Sequence, residues 1–255
     1  MIKKLNDLNE WFNRKLEQRI ANSIFVGGGL GNVRLRQKII SWIRQNSSGN
    51  IILDVGGGDC KWQKFFKGDQ HYFCADYPLT VSSCPWREAY FDLAADGHKL
   101  PIQDNSCDLV LCLFVLEHVT NPQQLISELA RIVKKNGRII LAGPGDLCLA
   151  HGMPYNYFNL TIDGYSMLFR QNGLNVEEEY IPLKFWGTIV QLIYLHIVRH
   201  LGYNRSSFLK LLQLIIFLLS LPLMPVINLM AAVVDAIIPF DRRGYSTYAA
   251  YLKKL

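Results

Sequence analysis

A chain of 255 residues and 29.2 kDa is long enough for one α/β domain with a sizeable core, or for a domain with an appendage. Half of its residues are apolar and 19% are charged, which excludes a disordered or fibrous protein. The formal charge of +6 is mild: it suits an anionic surface, membrane or nucleic acid, without selecting between them.

The first twenty residues lack the continuous apolar core of a signal peptide. Ile2, Leu5, Leu8, Phe12, Leu16 and Ile20 fall three or four apart, so this stretch reads as a helix docked on the domain, with binding to a membrane surface as the alternative. A Val-Gly-Gly-Gly run at Val26–Gly29 follows, then a helical pattern, "VRLRQKIISWIRQN", that ends near Ser47-Ser48-Gly49. Beyond it the pattern is α/β. Apolar runs of strand length stand at Ile51–Val55, His71–Ala75, Cys107–Val115 and Arg138–Ala142. Helical patterns lie between several of them, notably "NPQQLISELARIVKKNG", with a proline near its start and Gly137 as its stop. Strand alternating with helix predicts right-handed crossovers and a doubly wound, mostly parallel sheet. A further helix, Ile162–Gln171, takes Thr161 as N-cap and stops at Asn172-Gly173.

After about Lys184 the composition changes. "FWGTIVQLIYLHIVRHLGY" is a strongly apolar helix, and Leu211–Val234 carries no charge at all. As one helix that run would cross a bilayer core at ~1.5 Å per residue, but Pro222 and Pro225 interrupt it. One crossing would also leave the last strand on the wrong side of the membrane. The expectation is therefore two helices joined near the prolines and returning to the same side, a re-entrant or in-plane membrane-associated hairpin, with true spanning as an alternative. Arg199, Arg205, Lys210, Arg242 and Arg243 flank the stretch, as contact with anionic headgroups requires. A buried helical subdomain or an oligomer interface is a further alternative. "STYAAYLKK" reads as a strand that returns antiparallel to the sheet. The expected divisions are therefore 1–48 N-terminal helices, 49–184 core, 185–240 apolar helical insertion and 241–255 final strand.

The six cysteines, Cys60, Cys74, Cys84, Cys107, Cys112 and Cys148, form no CxxC and no spacing suited to zinc. They read as reduced thiols of a cytosolic protein. Cys84, before Pro85, lies in an irregular stretch away from the strand ends, which argues against a nucleophile there.

Val-Gly-Gly-Gly occurs twice, at Val26–Gly29 and Val55–Gly58. Only the second follows a buried-strand run, has room for a helix in "CKWQKFF", and has an acid, Asp76, twenty residues beyond Gly56. The first reads as a hinge between helices. Lys61 stands where GxGxxG from Gly56 would need its third glycine, and Asp59 would repel a pyrophosphate. Asp54 and Asp59 suit a cationic ligand that contains a ribose and no phosphate.

These segments together resemble the class I S-adenosylmethionine-dependent methyltransferases, especially the type 11 methyltransferase-domain family. "LDVGGGDC" is similar to that family's DxGxGxG turn, with Cys60 at the third glycine. "DGHKLPIQDNSCDLVLCLFVLEHVTNP" is similar to its D-A-x-x-L-P-F-x-D-x-S-F-D run followed by L-E-H-V, and "LARIVKKNGRIILAGPG" to its R-V-L-K-P-G-G approach. The resemblance covers about Ile51 to Val176. It implies that S-adenosylmethionine is the cofactor, that Asp54 lies near its methionine end, and that Gly56 and Gly58 let the backbone approach it. It further implies that Asp76 binds the ribose, that Tyr77 covers the adenine, and that Asp96 accepts the adenine amino group beside the backbone of Gly97. Asp92 is an alternative for Asp96.

Methyl transfer from a sulfonium needs alignment and exclusion of water more than a base. His118 in "VLEHV" and His151 in the loop after the next strand are the catalytic candidates; each has a structural reading beside the functional one. An ExxEH metal motif would need a carboxylate where Phe114 stands, so no metal is expected. "HGMPYNYFNLT" resembles an H-x-x-P-x-D-Y-x-R-x-T segment of type 11 relatives in bacterial surface-polysaccharide pathways, with Asn156 and Asn159 at the Asp and Arg positions. The resulting expectation is O-methylation of a glycan, a lipid-linked glycan or another small acceptor, by a peripheral or monotopic protein on the inner face of a membrane, contacting it through 207–240. A non-catalytic scaffold of the same fold, and an RNA methyltransferase, are the alternatives. Against RNA, the N/D-P-P-Y/F motif is absent and the basic residues are scattered, so no nucleic acid is expected. A homo- or hetero-oligomer fits either reading.

Overall fold

The computed structural model describes residues 29–46, 51–58, 60–66, 68–77, 91–150, 155–200, 207–240 and 242–255. The helix expected over the first twenty residues, Asp59, Cys84 and His151 lie outside them. Two compact units are present: Gln37–Ile181 with Ser246–Leu255, and the described residues up to Arg36 with Pro182–Tyr245. The division between the units near the N-terminus falls inside the first described helix, α1 (Gly29–Gln45).

The larger unit is built on seven strands: β1 (Ile51–Val55), β2 (His71–Asp76), β3 (Leu93–Ala94), β4 (Cys107–Leu113), β5 (Val133–Pro144), β6 (Leu174–Tyr180) and β7 (Thr247–Lys254). Their order across the sheet is β3-β2-β1-β4-β5-β7-β6. Strands β1 to β5 pair in parallel, and β7 runs antiparallel to both β5 and β6. This is the doubly wound sheet with an antiparallel "STYAAYLKK" strand that the sequence predicts. The central strands are buried on both faces, as Ile52, Leu53, Val110, Leu111, Ile139 and Ile140 show, and hence their near-continuous apolar runs. Connections leave β1 in opposite directions, with β2 on one side and β4 on the other. The carboxyl ends of β1 and β4 therefore border a topological switch point, where ligands of such sheets bind.

Helix α2 (Pro122–Ile132) starts as expected. Asn121 accepts from Gln124 N at 3.1 Å, Pro122 takes the first turn, and Leu125, Ile126, Leu129 and Ile132 bury one face. It stops five residues earlier than expected, and Gly137 lies inside β5. The carbonyls of Arg131 and Ile132 accept from Asn105 N (3.0 Å) and Ser106 N (2.9 Å), so the approach to β4 satisfies them and the chain turns out to pair Val133 with Cys107. Helix α3 (Ile162–Gln171) is capped by Thr161, which accepts from Gly164 N at 3.1 Å, and ends at Gly173 with φ +67°. The stretch "CKWQKFF" holds only a single 3-10 turn, Gln63–Phe65, instead of a helix. Cys60 is in the left-handed region (φ +50°), so a right-handed helix cannot begin there.

Arg131 fastens the segment that enters β4. Its guanidinium donates to the carbonyls of Leu100 (2.9 Å) and Ile102 (2.7 Å), to Asp104 (2.6 Å) and twice to Glu128 (2.8 Å each). The Arg131 hydrogen bond, with help from Leu100 N–H, holds the Glu128 carboxyl below its ordinary range. A depressed folded-state value adds stability that is present above 4.5 and is lost as pH falls through the lowered value. Arg131→Ala is expected to destabilise the protein by about 1–2 kcal/mol at neutral pH and by less in acid. Urea unfolding at neutral pH and at about pH 3 reads both effects.

The smaller unit holds α4 (Phe185–His200), α5 (Ser207–Ser220), a 3-10 turn (Leu221–Leu223) and α6 (Met224–Ile237). Helix α6 packs along α4, and Tyr194, Phe217 and Met224 form a small core flanked by Ile197, Leu221 and Ile227. The prolines do not fold the chain back on itself. Pro222 and Pro225 occupy the first turns of the 3-10 segment and of α6, where a missing N–H costs nothing. The backbone stays right-handed through Ser220, Leu223 and Met224. The expected hairpin is instead one helical run, Phe208–Ile237, which among the described residues is long and apolar enough to cross a membrane. Much of its apolar surface is exposed, including Leu219, Leu229, Met230 and Ile237.

Asp235, just past the uncharged run, ties α6 to the start of α4. Its carboxylate accepts from Trp186 N (2.9 Å) and Gly187 N (3.0 Å), and its carbonyl accepts from Lys184 Nζ at 3.2 Å. It is an N-cap supplied by a distant residue, with its negative charge at the positive end of the helix. Asp235→Ala is expected to cost about 1–2 kcal/mol, read as a lower thermal midpoint of helical circular dichroism in detergent.

Candidate functional site

After β1 the chain turns sharply: Gly56 and Gly58 take φ of +73° and +60°. A side chain at Gly56 would be strained by that φ and would also place its Cβ 2.3 Å from Val115 Cγ2. The turn is anchored to the neighbouring strand. Gly56 N donates to Ala75 O at 2.7 Å, and Gly58 N donates to Asp76 Oδ2 at 3.0 Å. Asp76 Oδ1 accepts from Tyr77 N at 2.7 Å. The carboxylate is thus fixed at the carboxyl end of β2 by two backbone donors, 7% exposed, with about half of its four acceptor positions unused by them. The ring of Tyr77, next along the chain, is exposed.

Asp54 lies beneath the turn and is 1% exposed. The Tyr72 hydroxyl donates to its carboxylate, and burial, then the Asp54 charge, push the Tyr72 phenol far above its ordinary value. A Cβ at Gly57 would stand 2.8 Å from Asp54 Cγ, so the carboxylate supports the turn from below.

β3 brings Asp96 to the same edge, because Ala95 N donates to Asp76 O at 3.0 Å. The Asp96 carboxylate accepts from His98 N (2.9 Å) and His98 Nδ1 (2.7 Å), and the backbone bond above all holds it below its ordinary range. His98 Nε2 accepts from Asn121 N at 3.3 Å, which fixes the tautomer and ties this loop to the start of α2. Sequence reasoning missed His98, although its position two residues after the acid was a usable signal. Gly97 sits where a Cβ would come within 2.9 Å of Leu125 Cδ1. Asp92 is committed elsewhere: its carboxylate accepts from Cys74 N at 2.8 Å. Both acids are exposed, and it is Asp96, next to Ala95 N–H bonded to Asp76 O, that stands at the end of β2.

The end of β4 supplies the other wall. Phe114 holds a left-handed backbone (φ +59°), its N–H donates to Ala142 O at 2.8 Å, and its ring is exposed. A bulky side chain in that conformation is strained by roughly 1–3 kcal/mol, and such strain collects at functional sites. Leu116–His118 then form a 3-10 turn with Glu117 fully buried. His118 Nδ1 lies 2.6 Å from Tyr155 O, and its Nε2 lies 3.9 Å from a Glu117 carboxylate oxygen. Tyr157 N donates to Glu117 O at 2.7 Å, so the loop after β5 lies along this turn. In that loop Asn156 and Asn159 face each other at 3.5 Å, and Asn159 donates to Cys148 O at 2.7 Å.

The structure therefore gathers Asp54, Gly56, Gly58, Asp76, Tyr77, Asp96, Gly97 and His118 at the carboxyl ends of β1 to β4. The donor set fits a ribose-containing, phosphate-free ligand: carboxylates and an aromatic ring face it, and among the described residues no lysine or arginine clamps the turn.

Residues 53–141, about a third of the chain, match the methyltransferase domain family. An uncharacterized methyltransferase of Mycobacteroides abscessus is 33% identical over 104 residues, covering 37% of this chain and 39% of that protein. The demethylmenaquinone methyltransferase of Streptomyces griseus is 26% identical over 118 residues, covering 44% of this chain and 50% of that protein. The chain thus spans half or less of the length of these relatives. An SAM-dependent methyltransferase from Archaeoglobus fulgidus superposes with a TM-score of 0.55 at 16% identity, over 94% of this chain and 98% of that one. Residues 53–141 are accordingly a match to the methyltransferase domain, and the fold is that of the solved Archaeoglobus fulgidus protein.

Proposed function

We propose that this protein is an S-adenosylmethionine-dependent methyltransferase at the cytosolic face of a membrane, acting on an oxygen of a glycan, a lipid-linked glycan or another small acceptor. The observation that carries the reading is the glycine turn whose Gly58 N–H meets the Asp76 carboxylate at the switch point of the sheet. Asp76 would take the ribose hydroxyls, Tyr77 the adenine face, and Asp96 with the Gly97 backbone the adenine edge. Asp54 stiffens the turn beside the methionine end. The cofactor supplies a methyl group already activated by its sulfonium.

What the chain adds is alignment, a dry site and a base for the hydroxyl. With His118 Nδ1–H donating to the Tyr155 carbonyl, Nε2 keeps its lone pair for the acceptor's proton. The Glu117 carboxylate, 3.9 Å away, would stabilise the imidazolium that results. The exposed apolar surface of α5 and α6, with Lys184, Lys210, Arg242 and Arg243 exposed near its ends, supports placement against anionic headgroups.

Calorimetric titration of S-adenosylmethionine and its demethylated product into detergent-purified protein tests the reading. Saturable binding near one per chain is expected; absence of binding by folded protein would remove the enzyme reading. The second reading, a non-catalytic scaffold of the same fold, draws on Cys60 standing in left-handed geometry where the family turn has glycine. Binding of cofactor without turnover, against any pathway acceptor, would favour it.

A further inference from the structure

The turn that anchors the site also brings together two cysteines that are fourteen positions apart. Cys60 follows the turn, with its N–H donating to Gly57 O at 3.1 Å, and is partly exposed. Cys74 is on β2, two residues before Asp76, and is fully buried. Both residues lie against Gly57, and their side chains are within hydrogen-bonding contact. The Cys74 sulfur lies directly against the turn, since a Cβ at Gly57 would stand 2.5 Å from it. The other described cysteines are placed differently: Cys107 and Cys112 are buried in β4, and Cys148 donates to Leu149 O.

We propose that Cys60 and Cys74 are an oxidisable pair, and that their disulfide switches off ligand binding at the glycine turn. The oxidant is a peroxide. Cys60, the accessible thiol, attacks as thiolate; the peroxide O–O bond breaks, a sulfenic acid forms on Cys60 and water is released. Cys74 then attacks the sulfenic sulfur. The S–S bond forms, the S–O bond breaks, and the leaving hydroxide departs as water with the Cys74 proton. Two thiols and one peroxide give one disulfide and two waters. Burial first, then the Cys60 contact and Asp54, push the Cys74 thiol up, so it is not the first attacker; it resolves the sulfenic acid at contact distance, giving its proton to the leaving hydroxide as the S–S bond forms.

The consequence for binding is geometric. A disulfide needs a sulfur separation of about 2.05 Å, shorter than any contact between two thiols. Cys60 must move toward β2 and draw the adjoining turn with it. Gly58 N–H, which holds Asp76 in place, belongs to that turn. Oxidation therefore alters one of the two backbone contacts that hold the Asp76 carboxylate.

The test uses the whole chain in detergent, treated with hydrogen peroxide. Intact mass and peptide mapping are expected to show loss of two hydrogens and a Cys60–Cys74 crosslink, reversed by dithiothreitol. Titration with S-adenosylmethionine is expected to show affinity at least tenfold weaker in the oxidised protein, restored on reduction, with no peroxide effect in Cys74→Ala. A crosslinked protein of unchanged affinity overturns the switch. Peroxide that leaves both thiols intact, or drives Cys60 to sulfinic acid without a crosslink, overturns the pair. The switch rests on the cofactor site proposed above, but the crosslink is read without ligand. Failure of the reduced protein to bind S-adenosylmethionine would therefore count against that function, while the mass measurement alone decides whether the two thiols pair.

Discussion

Asp76→Ala is expected to weaken S-adenosylmethionine binding by about ten- to a hundredfold, beside a stability loss of about 1–3 kcal/mol from the two backbone donors it leaves without an acceptor. The carboxylate does two jobs at once. It fixes the turn through Gly58 N–H at 3.0 Å, and it would accept from the two ribose hydroxyls. Hydrogen bonds to a charged group are worth roughly 1.5–3 kcal/mol, and this range sets the expected loss. Asp76→Asn separates the jobs, since an amide can still accept from Gly58 with its oxygen but offers a donor where the ribose also donates. Calorimetry should rank wild type above Asn and Asn at or above Ala. Equal affinity in all three would move the ligand site away from the end of β2.

The largest effect on stability is expected at Trp42. This indole is wholly buried, stacks on Tyr251 with ring centroids 5.7 Å apart, and donates Nε1–H to Glu178 Oε2 at 2.6 Å. Lys38 completes the group: it bonds the other Glu178 oxygen and lies 5.3 Å over the indole ring. That pairing, then the Trp42 bond, holds the Glu178 carboxyl below its ordinary range. Trp42→Ala is expected to cost about 3–5 kcal/mol from lost burial and the cavity left behind. Against a typical total of ~5–15 kcal/mol this is a large fraction. Trp42→Phe keeps much of the packing, removes the donor, and should cost about 1–2 kcal/mol. Denaturant unfolding monitored by near-ultraviolet circular dichroism measures both.

The same group shows why some of the fold was hidden in the sequence. β1, β4 and the second half of β5 are continuous apolar runs because both their faces are covered, and such runs are visible locally. β6, "LNVEEEY", carries three consecutive glutamates and is not among the apolar runs of strand length. Each of those charges has a partner far away in the chain: Glu177 with Arg138, Glu178 with Lys38 and Trp42, Glu179 with the Tyr248 hydroxyl. No local pattern reveals that. The prolines at 222 and 225 misled for a related reason. Proline breaks a helix interior but suits its first turn, and which of these applies depends on where the helix is divided. In the site, Gly56, Gly58 and Asp76 were legible because the spacing of a strand, a turn and an acid is itself a local pattern. The tautomer-fixing bonds of His98 and His118, the left-handed backbone of Phe114 and the meeting of Cys60 with Cys74 arise only when separate strand ends converge.

β7 lies between β5 and β6 and pairs with both, yet it follows β6 by more than sixty residues. During synthesis, β5 and β6 therefore leave the ribosome with no strand between them. The most apolar part of the chain, α4 to α6, is made within that interval. The half-built sheet presents one bare edge of β5 while the greasiest helices emerge, a combination that invites self-association. Pairings so distant in sequence also close slowly. A lipid surface or a chaperone that receives α5 and α6 as they emerge would shorten the dangerous interval, so efficient expression is expected to depend on what meets those helices first.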